Sequence, residues 1–226
     1  MANISNRLKK VAEQIDKNAS VFDVGADHGL LEKYLLDNDI TKNIIAVENK
    51  IGPYSTLKSN LKDYKLTILL SDGISSLNKE TDFLVIAGMG GILIKNILEK
   101  DKEKLLLINN IVVDAHRDVY LIRKFLTNNG FYIFNEELIT ERELFYFIIT
   151  FKKGFKQYSD EEYKYGIYKN SEIYKQYLKC ELDKLIKIKE KINITDKNNI
   201  DRIKIIDEEI ERLKNYENNK TLKESC

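Results

Sequence analysis

The sequence predicts an α/β protein: a doubly wound, mainly parallel sheet followed by a helical hairpin. Short apolar runs rich in β-branched residues recur at 21–24, 44–47, 66–70, 83–87 and 111–113, with helical periodicity between them, which is the pattern of a parallel sheet buried on both faces. A glycine-containing turn, Phe22-Asp23-Val24-Gly25-Ala26-Asp27-His28-Gly29-Leu30, leads from the first run into a helix. That junction is where doubly wound domains hold a ligand. Beyond Gly154 the composition shifts to Lys, Glu, Tyr and Ile at helical spacing. The expected domains are 1–155 for the sheet and 156–226 for an antiparallel helical hairpin or coiled coil.

Each element has its own signal. Ile4, Leu8, Val11 and Ile15 form a helical stripe interrupted by Arg7, Lys9 and Lys10, an amphipathic first helix and not a secretory signal. Helices follow over 30–36, from Pro53 with Leu57 and Leu61 on one face, and from Gly91 with Leu93, Ile94 and Ile97. Pro53, the only proline, suits a first helical turn, where no backbone donor is needed. A helix over 118–128 stops at Gly130, and runs at 131–134 and 144–151 read as an antiparallel pair. Two stripes then form the hairpin: Tyr174, Tyr177, Leu178, Leu185, Ile188 and Ile192, and Ile203, Ile206, Ile210 and Leu213. The turn falls at 193–199, and the polar segment 216–226 is expected to fray.

Composition excludes several classes. A chain of 226 residues, 43% hydrophobic and 32% charged, can bury one substantial core and does not read as disordered. Apolar runs fall short of the roughly 20 residues that span a bilayer, so a cytoplasmic protein is expected. Cys180 and Cys226 lack metal or disulfide spacing, and His28 and His116 have no nearby ligand companions, so no metal is expected. A net charge of +1 means that a nucleic-acid partner would need local basic patches.

In a doubly wound domain the residues just beyond each strand face the ligand. Asp27 stands where a dinucleotide-binding loop keeps a glycine, and a carboxylate there opposes a pyrophosphate. A phosphate-free, cationic cofactor fits better, and S-adenosylmethionine is one; linked NAD chemistry is disfavoured by the same residue. Gly25, Ala26, His28 and Gly29 would allow close approach of the cofactor, while Asp23 orients the loop or accepts from an amine. Glu48, with Asn49 beside it, ends the second strand where an acid accepts from ribose hydroxyls. Asp72 and Gly73 end the third, where a carboxylate can accept from an adenine amino group. Ala87, Gly88, Met89, Gly90 and Gly91 end the fourth with almost no side chains. Singly, Glu48 or Asp72 reads as a helix cap or a surface charge; four consecutive strand ends in this order are hard to obtain by accident.

A parallel sheet closed by an antiparallel pair is the arrangement of the class I, Rossmann-like methyltransferase fold. The segments Asp23 to Leu31, Glu48 with Gly52-Pro53, Ser71-Asp72-Gly73 and Ile86-Ala87-Gly88-Met89-Gly90-Gly91 resemble the TrmK-type tRNA (adenine-22-N1)-methyltransferases. Asn6-Arg7-Leu8, Glu136-Glu137-Leu138 and Phe145-Tyr146 extend the likeness over most of the chain. The resemblance implies methyl transfer from S-adenosylmethionine to N1 of a tRNA adenine. It also implies a carboxylate that stabilises the cationic product, with Asp27 the first candidate and Asp114 the second. Arg7, Lys9 and Lys10 are the expected phosphate contacts, with hairpin lysines beside them. One departure stands out: the family shows a glutamine-proline-asparagine turn after the fifth strand, whereas this chain reads Asp114-Ala115-His116. Asp114 and His116 either preserve polar contacts to the base or mark an altered activity, so a non-catalytic RNA-binding module of the same fold is the alternative. The hairpin's role, in RNA binding or in dimerisation, is open at this level.

Overall fold

Ser5 accepts a hydrogen bond from the Leu8 amide at 3.2 Å and so caps the first helix, α1 (Asn6–Ala12). The computed structural model describes residues 4–167, 171–192 and 198–223. The helix is shorter than its apolar stripe, but Ile15 beyond its end is still buried. Next come β1 (Val21–Val24), α2 (Leu30–Asp37), β2 (Ile44–Glu48), α3 (Ile51–Asn60), β3 (Thr67–Leu70), β4 (Thr81–Ala87) and α4 (Gly91–Lys100). A 3-10 turn (Lys102–Leu107) leads to β5 (Ile108–Ala115), α5 (Val119–Thr127), β6 (Phe131–Glu141) and β7 (Leu144–Lys153).

The strands form one seven-stranded sheet in the order β3-β2-β1-β4-β5-β7-β6. Only β7 runs antiparallel to its neighbours, as the class I methyltransferase fold requires. The chain winds outward from β1 in one direction and from β4 in the other. Because crossovers are right-handed, α2 and α4 fall on opposite faces and a crevice opens at the carboxyl ends of β1 and β4. One face carries Val21, Ile44, Phe83, Val85 and Val112 against Val11, Leu31 and Leu35 of α1 and α2. Ala46 meets Leu57 and Leu61 of α3 on the same face. The alternate residues Phe22, Leu84, Ile86, Ile111 and Val113 are equally buried, on the side of α4 and α5, which pack together.

Strand limits differ from expectation where polar residues face inward. Thr81 and Asp82 extend β4 backward because the Asp82 carboxylate accepts from the Ser20 amide and hydroxyl, each at 2.8 Å. Asn110 in β5 donates to the Asp82 carbonyl at 2.8 Å. Helix α3 opens at Ile51, two residues before Pro53, which still lies within the first turn.

The chain divides into two compact units, Met1–Gln157 and Tyr158–Cys226. In the second, a reciprocal Ser159–Glu162 capping box starts an unexpected short helix, α6 (Asp160–Tyr165). Helices α7 (Glu172–Glu190) and α8 (Asn198–Lys223) pack together, with Lys189 and Asp207 paired at 2.5 Å. The turn expected at 193–199 lies mostly outside the described residues. Tyr165, Tyr174, Tyr177 and Tyr216 are buried within this unit, and Tyr216 donates to the Gly166 carbonyl at 2.7 Å. Helix α8 runs to Lys223, through most of the segment expected to fray, and 224–226 lie outside the described residues. Among the described residues no helix is long and apolar enough to cross a membrane.

Candidate cofactor and substrate site

The carboxyl ends of β1 to β4 enclose a cleft of about 630 Å³. Asp23, Gly25, Ala26, Asp27 and His28 line it from the first strand end, Glu48 and Asn49 from the second, Asp72 and Gly73 from the third, and Ala87, Gly88 and Met89 from the fourth. The sequence missed its apolar walls, Leu8, Leu31, Pro53, Leu93 and Ile97. These carry no polar signature, and only the winding of the sheet brings them together.

Backbone geometry explains the glycines that matter. Gly25 has φ +79°, and a Cβ there would collide with the Met89 methyl group, so the two glycine loops touch across the switch point. Gly29 has φ +74° and lies against Leu57 and Leu61, where a Cβ would come within 2.8 to 2.9 Å. Gly29 and Gly90 do not line the cleft; they are the N-caps of α2 and α4. Asp27 also adopts a left-handed backbone, φ +49°, a conformation aspartate tolerates better than most residues. Its carboxylate is 66% exposed and lies 3.7 Å from the His28 imidazole.

Each acid has a distinct setting. Glu48 is buried, and its Oε1 accepts from the Asn49 and Lys50 amides, both at 3.0 Å, which fixes the loop after β2. Asp72 pairs with Lys100 at 2.6 Å and accepts from Asn49 at 3.4 Å. The lysine, then the asparagine, holds its carboxyl below the usual range. Asp114, the penultimate residue of β5, is fully buried behind the Gly88 loop and does not itself line the cleft. Its Oδ2 accepts from Arg7 and, at 3.2 Å, from the Gly88 amide, while its Oδ1 has no hydrogen-bond partner. Burial pushes the Asp114 carboxyl up, and the Arg7 guanidinium opposes that rise.

Arg7 is therefore held by carboxylates although, unlike Asp114, it lines the cleft. Its Nε lies 3.4 Å from Glu141, and its guanidinium stacks 5.1 Å from the Tyr146 ring centre. Lys10 pairs with Glu13 at 2.7 Å and with Glu137 at 3.7 Å; Lys9 is exposed. His116 is exposed with its ring 5.3 Å from that of Tyr146, away from the cleft lining. The exposed Arg117 was not foreseen; its Nε would lie 2.9 Å from a Cβ on Gly90.

Fold and cleft together define a class I methyltransferase. The methyltransferase-domain family profile matches residues 4–149, more than half of the chain, and the chain belongs to that family. A curated Bacillus subtilis tRNA (adenine(22)-N(1))-methyltransferase is 31% identical over 156 residues, 67% of this chain and 66% of that protein. The match thus spans just under two thirds of that relative's length. A proposed tRNA (m1A22) methyltransferase from Streptococcus pneumoniae superposes with a TM-score of 0.88 at 27% identity, covering 93% of this chain and 98% of that one. Its structure in complex with S-adenosyl-L-methionine superposes at 0.83 with 26% identity, covering 93% and 98%. Within the methyltransferases the chain is similar to the tRNA (adenine-22-N1) enzymes.

Proposed function

We propose that this protein transfers the methyl group of S-adenosylmethionine to N1 of an adenine in the D-arm of tRNA, adenine 22 in the family's numbering. The observation that carries this is the joining of Asp27, Glu48, Asp72 and the Gly88-Met89 loop around one cleft, in a chain of this family. The cleft suits the cofactor chemically. Its carboxylates match a sulfonium and an ammonium group, Glu48 is fixed to accept from a ribose hydroxyl, and the glycine loops leave room for the donor methyl.

S-adenosylmethionine supplies an electrophilic methyl on sulfur. Adenine N1 has an in-plane lone pair, so a bond forms from N1 to the methyl carbon as the carbon–sulfur bond breaks, and no base is needed beforehand. The protein's task is alignment. The Gly88-Met89 loop borders the reacting space, and Asp114 steadies it by holding Arg7 on one side and the Gly88 amide on the other. Asp114 is thus a positioning residue. Asp27, exposed at the cleft, is the carboxylate that meets the cationic product ring and takes the amino proton. N1 lies on the Watson–Crick edge, so the base must leave its stack to enter.

Residues 1–155 carry this chemistry. The exposed Lys9 and Arg117 replace Arg7 and Lys10 as the phosphate contacts beside the site, because the latter two are already paired with carboxylates. The hairpin of 156–226 offers its lysines to RNA, while its tyrosines form its own core. The protein acts in the cytoplasm, where tRNA is found. Incubation with methyl-labelled S-adenosylmethionine and unmodified tRNA, followed by reverse transcription, tests the assignment. It predicts label and a stall at one D-arm adenine. Label without that stall would move the target, and saturable RNA binding without label would favour the non-catalytic module suggested by Asp114-Ala115-His116.

A further inference from the structure

Two carboxylic acids are enclosed together beneath the cleft. Asp23 on β1 is 4% exposed and Glu32, in the first turn of α2, is 0% exposed. Asp23 projects from the same face of β1 as Val21, the face covered by α2, and the two buried carboxyls lie close enough to influence each other's ionisation. Asp23 lines the cleft and Glu32 does not.

Ionised carboxylates only accept hydrogen bonds. With both acids charged, neither oxygen of Glu32 has a donor. One proton resolves the conflict: Glu32 donates, Asp23 accepts, and the pair carries a single negative charge. Among the described residues no neighbouring cation takes that role. On α1, which packs against α2, Arg7 is held by Asp114 and Glu141, and Lys10 by Glu13 and Glu137. The glycine turn contributes Asp27 and His28, both exposed, β2 contributes Glu48, bound to its own loop amides, and β5 contributes Asp114. From β7, Tyr146 packs against the same core and faces Arg7.

We propose that Glu32 is a positioning residue for the cofactor: by holding one proton against Asp23, it makes the buried pair present one negative charge to the ammonium of S-adenosylmethionine. This rests on the cofactor assignment above. Burial, the largest cause for both, pushes Asp23 up to about 6 and Glu32 well above the usual carboxylate range. An ammonium docking at Asp23 favours the singly charged pair. Affinity is then level where the pair already carries one charge, and falls about tenfold per pH unit once the empty pair becomes fully protonated.

Glu32→Gln keeps a donor for Asp23 and has no titratable proton, but an amide N–H is a weaker donor than a carboxyl O–H, so Asp23 ionises at higher pH than in wild type. The test is calorimetric titration of S-adenosylhomocysteine between pH 5 and 8, in two buffers of different ionisation enthalpy. In wild type the affinity should fall toward pH 5 with release of close to one proton per ligand. In Glu32→Gln the level region should retreat to higher pH and the proton release at intermediate pH should grow. Glu32→Leu, which removes the donor, should bind more weakly throughout the range. An unchanged pH profile and proton count in Glu32→Gln would overturn this proposal alone. Failure of wild type to bind S-adenosylhomocysteine would overturn it together with the cofactor assignment.

Discussion

Arg7 and the Gly88 amide both bind the same oxygen of Asp114. Burial raises this carboxyl and the arginine keeps it from rising further, so its ion pair with Arg7 is lost as the pH falls through that raised value. Protonation loosens the ion pair and with it the Gly88 loop, so kcat should show an acid limb that Asp114→Asn removes along with about tenfold or more of the rate. In Arg7→Ala the same limb should move to higher pH, because the carboxyl has lost its cation; a pH profile of single-turnover methyl transfer measures both. Asp27 differs because it is exposed. Asp27→Ala should abolish turnover while circular dichroism shows an intact fold. Asp27→Asn, which accepts the left-handed backbone more readily, should separate loss of charge from loss of loop shape. Wild-type turnover in either variant would remove Asp27 from the mechanism.

At the scale of elements, α5 and β6 are joined by a pair that a residue-type pattern hides. Arg123 and Glu136 are both buried, 2.8 Å apart, and the guanidinium lies 4.5 Å from the centre of the Phe147 ring. The strand-like run read from the sequence ends at 134; in the fold Glu136 is buried, and β6 runs on to Glu141 through a bulge near Ile133 and Asn135. Removing one partner leaves the other charge buried. Glu136→Ala should therefore cost about 3–5 kcal/mol, whereas replacing both partners with apolar residues of similar volume should restore most of that. Urea unfolding of the single and double variants measures the difference. A loss below about 1 kcal/mol in Glu136→Ala would show that the arginine finds other partners.

For the whole molecule, the division into two units sets where ligand binding is felt. S-adenosylhomocysteine at about 100 times its Kd should add about 2.7 kcal/mol to unfolding of the unit that binds it. In hydrogen exchange, the amides of 24–29, 47–50, 71–73 and 87–91 should gain protection, and those of α7 should not. Protection appearing in α7 instead would place the ligand elsewhere. Unmodified tRNA added afterwards should protect the surface around Lys9 and Arg117, with an effect that weakens steeply as salt rises.

The order of strands and helices, the four acid or glycine strand ends and the likeness to one family were legible because each is written in adjacent residues. Period-two and period-3.6 patterns are local, and a turn that needs φ above zero announces itself by glycine. What stayed hidden depends on residues far apart in the chain. Arg7 read as a phosphate contact until the sheet set it beside Asp114, 107 positions away. Glu32 carries no signal in the sequence and is enclosed only by the packing of α2, and Tyr165, Tyr174, Tyr177 and Tyr216 are buried only through the fold of the second unit. The sequence determined which chemistry is available at each strand end. The tertiary structure alone decided which charges are paired, which are buried and which remain open to a ligand, because desolvation and charge pairing depend on distances that no sequence spacing specifies.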